Sequence, residues 1–527
     1  MKTITKYISI TLLSATLFAS CSDEFLQRNS PNEPSSETIW ADPQGAFTAM
    51  LAACYDALQS NQLYNGSPWA FGPLNMDCMT DNGGHFNWSG WMEGYDFPMG
   101  IQNPSSLLVG DYWKACYEVI NRCNNLLVNS EKVHDETVAI YSAEAKVLRA
   151  LMYINLTMTY QDVPFLTKPL TLQNPDSEKT SRSIIVSEIM KDLKEAAAIL
   201  PATTTTRGRL TKGAAYALLG RLALYNEKWE EAIAAYKEVM KQGYSLHSNY
   251  AKLFTPDGET SSEIILGIRY EGPGNSEGSE FGAHWNTPLE AMNGTINLAD
   301  EFYSLDGKPT KDMNYGKLNE SGGLDVAKPN PERYKNRDPR LYATLFVPGM
   351  SWNGVVGSNY SGGASASLST IYVKKYFNDL DTKNSWDSGQ DFYLIRYAEV
   401  LVSMAEALVQ KGGYSYSEVT GLINQLRQRV GMPSVESVEG TSLSKEALLE
   451  VVKHERRVEL AFEGLRLFDL YRWKEWEKSI QSIEKERITL KLQYEPRKSL
   501  GARDYVWPLP TGELDTNKKL IQNELWK

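Results

Sequence analysis

The sequence predicts a mainly α-helical fold in which helices stack in pairs, interrupted by a loop-rich part with small strands. Three observations predict it. Apolar residues recur at helical spacing in the N-terminal half and again near the end of the chain. Small residues sit where two helices would have to touch. Between roughly residues 250 and 390, clusters of Gly, Asn, Ser and Pro replace the periodic pattern. The apolar content of 42% and charged content of 23% are those of a chain that folds around a core rather than staying disordered.

The helices follow in order. Ile140, Ala143, Val147, Leu151, Ile154 and Met158 recur at steps of three or four and mark one face of a long helix within Thr137 to Tyr160. Leu148, Met152 and Leu156 widen that face, so this helix has more than one neighbour. Tyr112 to Leu127 is a helix before it, with Trp113, Cys116, Ile120 and Cys123 on one side. Between Gly213 and Leu246, the residues Tyr216, Leu219, Gly220, Ala223, Ala232 and Tyr236 fall at spacings that resemble a tetratricopeptide unit. Gly220 and Ala232 are the small residues that let its two helices approach. Tyr393 to Gln410 and Tyr416 to Val430 form a second, degenerate pair. Such pairs bury a core only through their neighbours, so several are expected.

The segment from about 250 to 390 is too long for a mere connection, and is read as functional or as a subdomain. Ile264 to Tyr270 is a candidate strand.

The N-terminus is a targeting segment. Lys2 and Lys6 precede the apolar run Ile8 to Ala19, too short and too early for a spanning helix. Leu17-Phe18-Ala19-Ser20-Cys21 resembles a bacterial lipobox, which implies a signal peptide over 1–20 and a lipid on Cys21. Ser22-Asp23-Glu24 follows, resembling a signal for export to the outer face of the outer membrane. The organisation expected is a signal peptide (1–20), a lipidated acidic tether (21–40) and one domain (41–527). That domain has a helical scaffold over roughly 41–250 and 390–527 and a loop-rich insertion over roughly 250–390.

Several chemistries are disfavoured. A net charge of −11 argues against nucleic acid, whose phosphates need a basic surface. No HExxH, GxSxG, Walker-type loop or GxGxxG fingerprint occurs in context, and the five histidines are scattered. His454-Glu455 begins a zinc-like motif, but Val458 stands where the second ligand would be. Beyond Cys21, the cysteines Cys54, Cys78, Cys116 and Cys123 show no metal spacing. Cys116 and Cys123 are about 10 Å apart along a helix, too far for a disulfide, so buried free thiols are expected. No Asp-x-Asp-x-Asp-Gly run supports calcium, and no cofactor is expected.

The stretch GGHFNWSGW, residues 83–91, sets large aromatic side chains among glycines with neither helical nor strand spacing. Around it, Trp69, Phe71, Phe86, Trp88, Trp91 and Tyr95 alternate with Asn75, Asp77, Asp81, Asn82 and Asn87. Sugar rings have apolar C–H faces and polar rims, so flat aromatic faces with Asn and Asp beside them suit carbohydrate. Trp285 in AHWN and Trp352 in SWNG repeat the pattern, and Trp386 does so more weakly. The candidate ligand-binding residues are Asp81, Phe86, Asn87, Trp88, Trp91, Trp285 and Trp352. Trp473 and Trp507 are assigned to the scaffold.

Several segments together resemble the SusD/RagB family of surface nutrient-binding lipoproteins of Bacteroidetes. They are AEAKVLRALMYINLTMTYQDVP (143–164), DGKP (306–309), RDPRLY (337–342), DFYLIRYAEVLVSMAEAL (391–408), INQLRQRVGMP (423–433), HERRVELAFEGLRLFDLYRW (454–473) and YVWPLP (505–510). The resemblance implies a SusD-like scaffold whose loop-rich half carries the ligand surface. It also implies a SusC-like TonB-dependent transporter as partner, covered by the lipoprotein as a lid, and no catalysis. Capture of peptides is the alternative within this architecture, and a lipid-anchored glycoside hydrolase a remoter one. Glu455, Arg456, Glu459, Glu463, Arg466 and Asp469 lie three or four apart, and are read as ion pairs along one helix rather than a catalytic set.

Overall fold

The computed structural model describes residues 42–67, 69–85, 93–171, 175–285, 292–310, 314–352, 355–356, 369–377 and 384–527. Its main helices in chain order are α1 (Pro43–Asp56), α2 (Pro73–Cys78), α3 (Leu107–Ser130), α4 (Glu136–Thr159), α5 (Arg182–Ile199), α6 (Lys212–Tyr225), α7 (Trp229–Met240) and α8 (Ile296–Glu301). They continue with α9 (Tyr397–Lys411), α10 (Tyr416–Arg429), α11 (Lys445–Leu460), α12 (Arg466–Trp473) and α13 (Trp476–Leu490). Everything below concerns the unit Leu51–Lys527. Among the described residues, no helix is long and apolar enough to cross a membrane.

Helix α4 starts where Asp135 caps it, its side chain accepting from Val138 N at 3.1 Å. Apart from the half-buried Ile140, both predicted apolar rows on α4 are buried, because α3 lies against one side and α5 against the other. Helix α5 was not anticipated, although Ile185, Ile189, Leu193 and Ala196 supply its buried face at steps of three and four. The stack continues through α6 and α7, then α9, which packs on α10 and α11. In the tetratricopeptide-like pair α6–α7, a Cβ on Gly220 would lie 2.5 Å from the Tyr236 ring, so only glycine permits this helix spacing.

Two expectations needed correction. The segment read as helix from Tyr393 begins as a strand, and Arg396 is still extended before α9 starts at Tyr397. A short, fully buried apolar run has no amphipathic period to tell strand from helix. The charged motif 454–473 is two helices, not one. Phe462 (φ 60°) and Gly464 (φ 75°) adopt left-handed backbone and break it between α11 and α12.

Apart from two small hairpins, Gly316–Leu318 with Leu324–Pro329 and Ser351–Trp352 with Val355–Val356, the described strands are β1 (Gly83–His85), β2 (Ile264–Ile268), β3 (Met292–Gly294), β4 (Leu345–Phe346), β5 (Tyr372–Val373) and β6 (Phe392–Arg396). β2 pairs antiparallel with β6, and the other four form an antiparallel sheet in the order β1-β3-β5-β4.

A buried ion network joins the loop-rich part to the helices. Glu455, Glu459, Glu463, Glu263 and Asp338 meet Arg340, Lys375, Arg396, Arg427 and Arg429, five acids against five bases. Arg396 alone reaches Glu263 (2.8 Å), Glu459 (2.6 Å) and Glu463 (2.7 Å). Burial pushes Glu459 up, yet Arg429, Arg396 and Arg340 hold its carboxyl well below the usual range. The ion pairs therefore run between elements and not along one helix face.

Arg396→Met leaves three buried carboxylates short of a partner, and is expected to cost about 3–5 kcal/mol in urea unfolding. Gly220→Ala gains about 1 kcal/mol of helix propensity but collides with Tyr236, so a net loss of about 1–2 kcal/mol is expected in the same measurement.

Candidate functional site

The first two glycines of GGHFNWSGW are explained by packing. A Cβ on Gly83 would lie 2.9 Å from Cys78 in α2, and one on Gly84 would lie 2.8 Å from the Tyr494 ring. β1 is thus pressed between α2 and the C-terminal segment, which leaves no room for side chains there. The sheet register decides which segments share an end. His85 pairs with Met292, so the chain leaves β1 toward residue 86 at the same end where it arrives from residue 291. Phe346 and Tyr372 pair one strand over, and β4 leads toward 347–352 at the opposite end. The exit from β1 after His85 and the entry to β3 at Met292 therefore lie side by side.

Phe86, Asn87, Trp88 and Trp91 lie outside the described residues, as does Cys21. Trp285 ends the short 3₁₀ turn Phe281–Trp285, and Trp352 ends the strand Ser351–Trp352; their side chains lie outside what is described. Trp386, rated the weaker candidate, is the most exposed indole among the described side chains, at 44%. The polar residues preceding β1 are not surface groups: Asn75, Asp77 and Asn82 are all buried, and Phe71 belongs to an aromatic core with Tyr112 and Trp507. Trp507 is buried as expected, its Nε1 donating to Tyr471 OH at 3.0 Å.

Asp81 lies at the other end of β1 from residue 86. It is 5% exposed and gripped bidentately by Arg466, at 2.9 and 2.8 Å. Burial pushes this carboxyl up, but Arg457 and Arg466 hold it well below the usual range. Arg457 in turn donates to Asn82 Oδ1 (3.0 Å) and Asn297 Oδ1 (2.8 Å). Asp81, Arg457, Arg466 and Asn297 line a cavity of about 420 Å³ between α8, α11, α12 and α13. Its other walls include Tyr303, which stacks on His454 with ring centres 4.2 Å apart, and Trp473, whose ring Lys453 approaches to 5.1 Å. Sequence reasoning missed Tyr303, His454 and Trp473 as neighbours. Tyr303 comes from a separate segment, and His454 and Trp473 stand at the two ends of one motif that the left-handed break folds back into two helices.

Cys54, Cys78, Cys116 and Cys123 are buried free thiols. Among the described residues, no group of three or more His, Cys, Asp and Glu side chains is placed to hold a metal ion.

Beneath β1, Asp77 is fully buried, and burial pushes its carboxyl up to about 7 against the pull of the Phe462 N–H and the Lys375 charge. An unfolded aspartate titrates near about 4, so the native state holds this proton more tightly. Stability then falls as pH rises from about 4 to about 7, and levels off above. Asp77→Asn is expected to exceed the parent in stability at about pH 8, by up to about 4 kcal/mol, with the gain gone near about pH 4. Unfolding curves across that range test this.

Residues 241–526 match the profile of the SusD family, and residues 24–224 match a family described as starch-binding and associating with the outer membrane. SusD-like protein P25 of Formosa agariphila is 26% identical over 528 residues, spanning 95% of each chain. SusD-like protein P38 of the same organism is 25% identical over 546 residues, covering 98% of this chain and 99% of its own. A solved SusD-like carbohydrate-binding protein from Bacteroides fragilis superposes with a TM-score of 0.78 at 25% identity, over 92% of this chain and all of its own. With the SusD profile alone covering more than half of its length, the chain belongs to the SusD/RagB family.

Proposed function

We propose that this protein is a non-catalytic, cell-surface lipoprotein of the outer membrane. It captures oligo- or polysaccharide and delivers it to a SusC-like TonB-dependent transporter, over which it closes as a lid. The signal peptide spans 1–20, Cys21 carries the lipid, 21–40 form the tether, and 41–527 form one SusD-like domain. Ligand is gripped by Phe86, Asn87, Trp88 and Trp91 together with Trp285, while Trp352, reached from the opposite end of the sheet, and Asp81, from the cavity it lines, contribute further contacts.

The observation that carries this reading is the β1–β3 register. It sets the exit from β1 after His85 beside the entry to β3 at Met292, and these are the ends to which GGHFNWSGW and AHWN, two aromatic-and-asparagine segments some 200 positions apart in the chain, connect. Flat rings from two segments can meet the C–H faces of successive sugar units while asparagine meets their hydroxyls. The family membership and the carbohydrate binding of the Bacteroides fragilis relative point the same way.

Trp88→Ala and Trp91→Ala are each expected to weaken polysaccharide binding by about tenfold, some 1.4 kcal/mol, without changing the melting temperature. Affinity electrophoresis against a broad glycan panel measures it. Retention by none of the glycans would remove the carbohydrate reading.

A further inference from the structure

Trp386 stands on the surface where the chain approaches β6, with 44% of its area open to water. An indole is large and mostly apolar, so a fold seldom leaves one this open. The backbone that carries it is nevertheless held firmly. Ser388 pairs antiparallel with Ser279, with N–H···O distances of 2.7 and 2.9 Å. The Asp387 carboxylate accepts from Gly274 N at 2.6 Å and from Gly278 N at 3.0 Å, and Asp387 N donates to Asn384 O at 3.0 Å. Ser385 and Ser388 are buried. The chain is thus pinned on both sides of Trp386, and only the ring is left out. The pairing also sets a direction. Because Ser279 and Ser388 run antiparallel, Trp386 precedes the pair at the same end from which the chain leaves toward the turn Phe281–Trp285. That turn carries the first residues of AHWN.

The surroundings of the ring narrow what it can meet. The turn that Asp387 grips presents Glu271, Asn275, Ser276 and Glu277 to solvent, and Asn384 is exposed two residues before the ring. Within residues 269–280 and 384–391 no other large apolar side chain is exposed, so a protein partner would find one ring and no apolar cluster to bury. A single flat ring beside amide, hydroxyl and carboxylate groups matches a pyranose, whose C–H face needs the ring and whose hydroxyls need the rim. Glu271 and Glu277 meet through their backbones at 3.0 Å, and neither carboxylate has an ion-pair partner among the described residues. Arg269, the cation just before the turn, lies with its side chain against Gly208. Both acidic charges therefore stand open beside the ring, in a chain whose net charge is −11. A uronate or sulfated unit brought to Trp386 meets like charge, and a neutral unit does not.

We propose that Trp386 is a further stacking platform for the glycan, and that the carboxylates of Glu271 and Glu277 restrict the ligand to neutral sugar units. The assignment rests on the carbohydrate reading of the protein and adds to it the class of polymer bound.

The test is affinity electrophoresis of the mature protein in laminarin, xyloglucan and galactomannan, each beside the same polymer carboxylated at C6. At least one neutral polymer is expected to bind about fivefold or more tightly than its carboxylated form at low salt, with the gap narrowing at about 0.5 M salt. Trp386→Ala is expected to weaken that binding about tenfold. Its melting temperature stays unchanged because the ring is open to water, and Trp386→Tyr keeps most of the binding. Replacing both Glu271→Gln and Glu277→Gln is expected to strengthen binding of the carboxylated form about threefold while leaving the neutral parent unchanged. Unchanged binding in Trp386→Ala would overturn the platform, and a loss in Trp88→Ala beside it leaves the aromatic-loop reading standing. Loss in Trp386→Ala with Trp88→Ala and Trp91→Ala unaffected upholds the platform and removes those loop rings from the ligand surface. A carboxylated polymer bound as tightly as its parent, or more so, would overturn the charge restriction. Retention by no polymer, neutral or carboxylated, would overturn platform and restriction together.

Discussion

Glu459 is met by guanidinium groups from three different parts of the chain: Arg340 at 3.0 Å, Arg396 at 2.6 Å and Arg429 at 2.5 Å. A carboxylate this deep is tolerable only if all of its partners arrive, because stripping an ion of water costs several kcal/mol. Arg340 and Lys375 belong to the loop-rich part, Arg396 to the last residue of β6, and Arg427 and Arg429 to the end of α10. Apart from Arg340, which also meets Asp338 two residues away, none of them finds its carboxylate in its own segment. The loop-rich part is therefore held to the helical stack by charge matching as well as by burial, and the incomplete arrangement is the costly one. This accounts for so many charged residues in the motifs around α11 without invoking chemistry on a substrate.

With that frame fixed, the small sheet needs few residues of its own. β1 is wedged against α2 and Tyr494, β3 leads directly into α8, and α8 lies against α11 and α13. Strands this short would be marginal alone. Here the helices around them position the ends from which the aromatic segments depart. Under the proposed function such an arrangement separates tasks: ion pairs and buried rings hold the support, and the segments leaving β1 and entering β3 carry ligand-specific side chains. Asp81 and Asn82 lie at the other end of β1, tied to Arg466 and Arg457.

Much of the frame was legible because a helix writes its neighbours into its own spacing. The two apolar rows of α4 foretold contacts on two sides, and Gly220 with Ala232 foretold a close helix pair. The places where reading failed lack such periodicity. β6 is buried on every side, so Phe392 to Arg396 carry no polar face to reveal a strand. The left-handed Phe462 that separates α11 from α12 is a residue type rarely found in that conformation, and tertiary packing imposes it. Asn75 and Asp77 looked like surface groups beside aromatic rings. Both are buried, a position a polar side chain takes only when the surrounding fold supplies partners or holds its proton.

The sequence by itself determined the stacked helical pairs, the targeting segment expected at the N-terminus, the family resemblance and the aromatic-with-asparagine segments. Each of these is written in neighbours along the chain, at spacings of one to seven residues. Only the tertiary structure decided which distant segments meet: β1 with β3, Asp81 with Arg457 and Arg466, and Tyr303 with His454. The physical reason is that strand register, charge neutralisation and the enclosure of a void depend on through-space distance, and linear spacing carries no record of it.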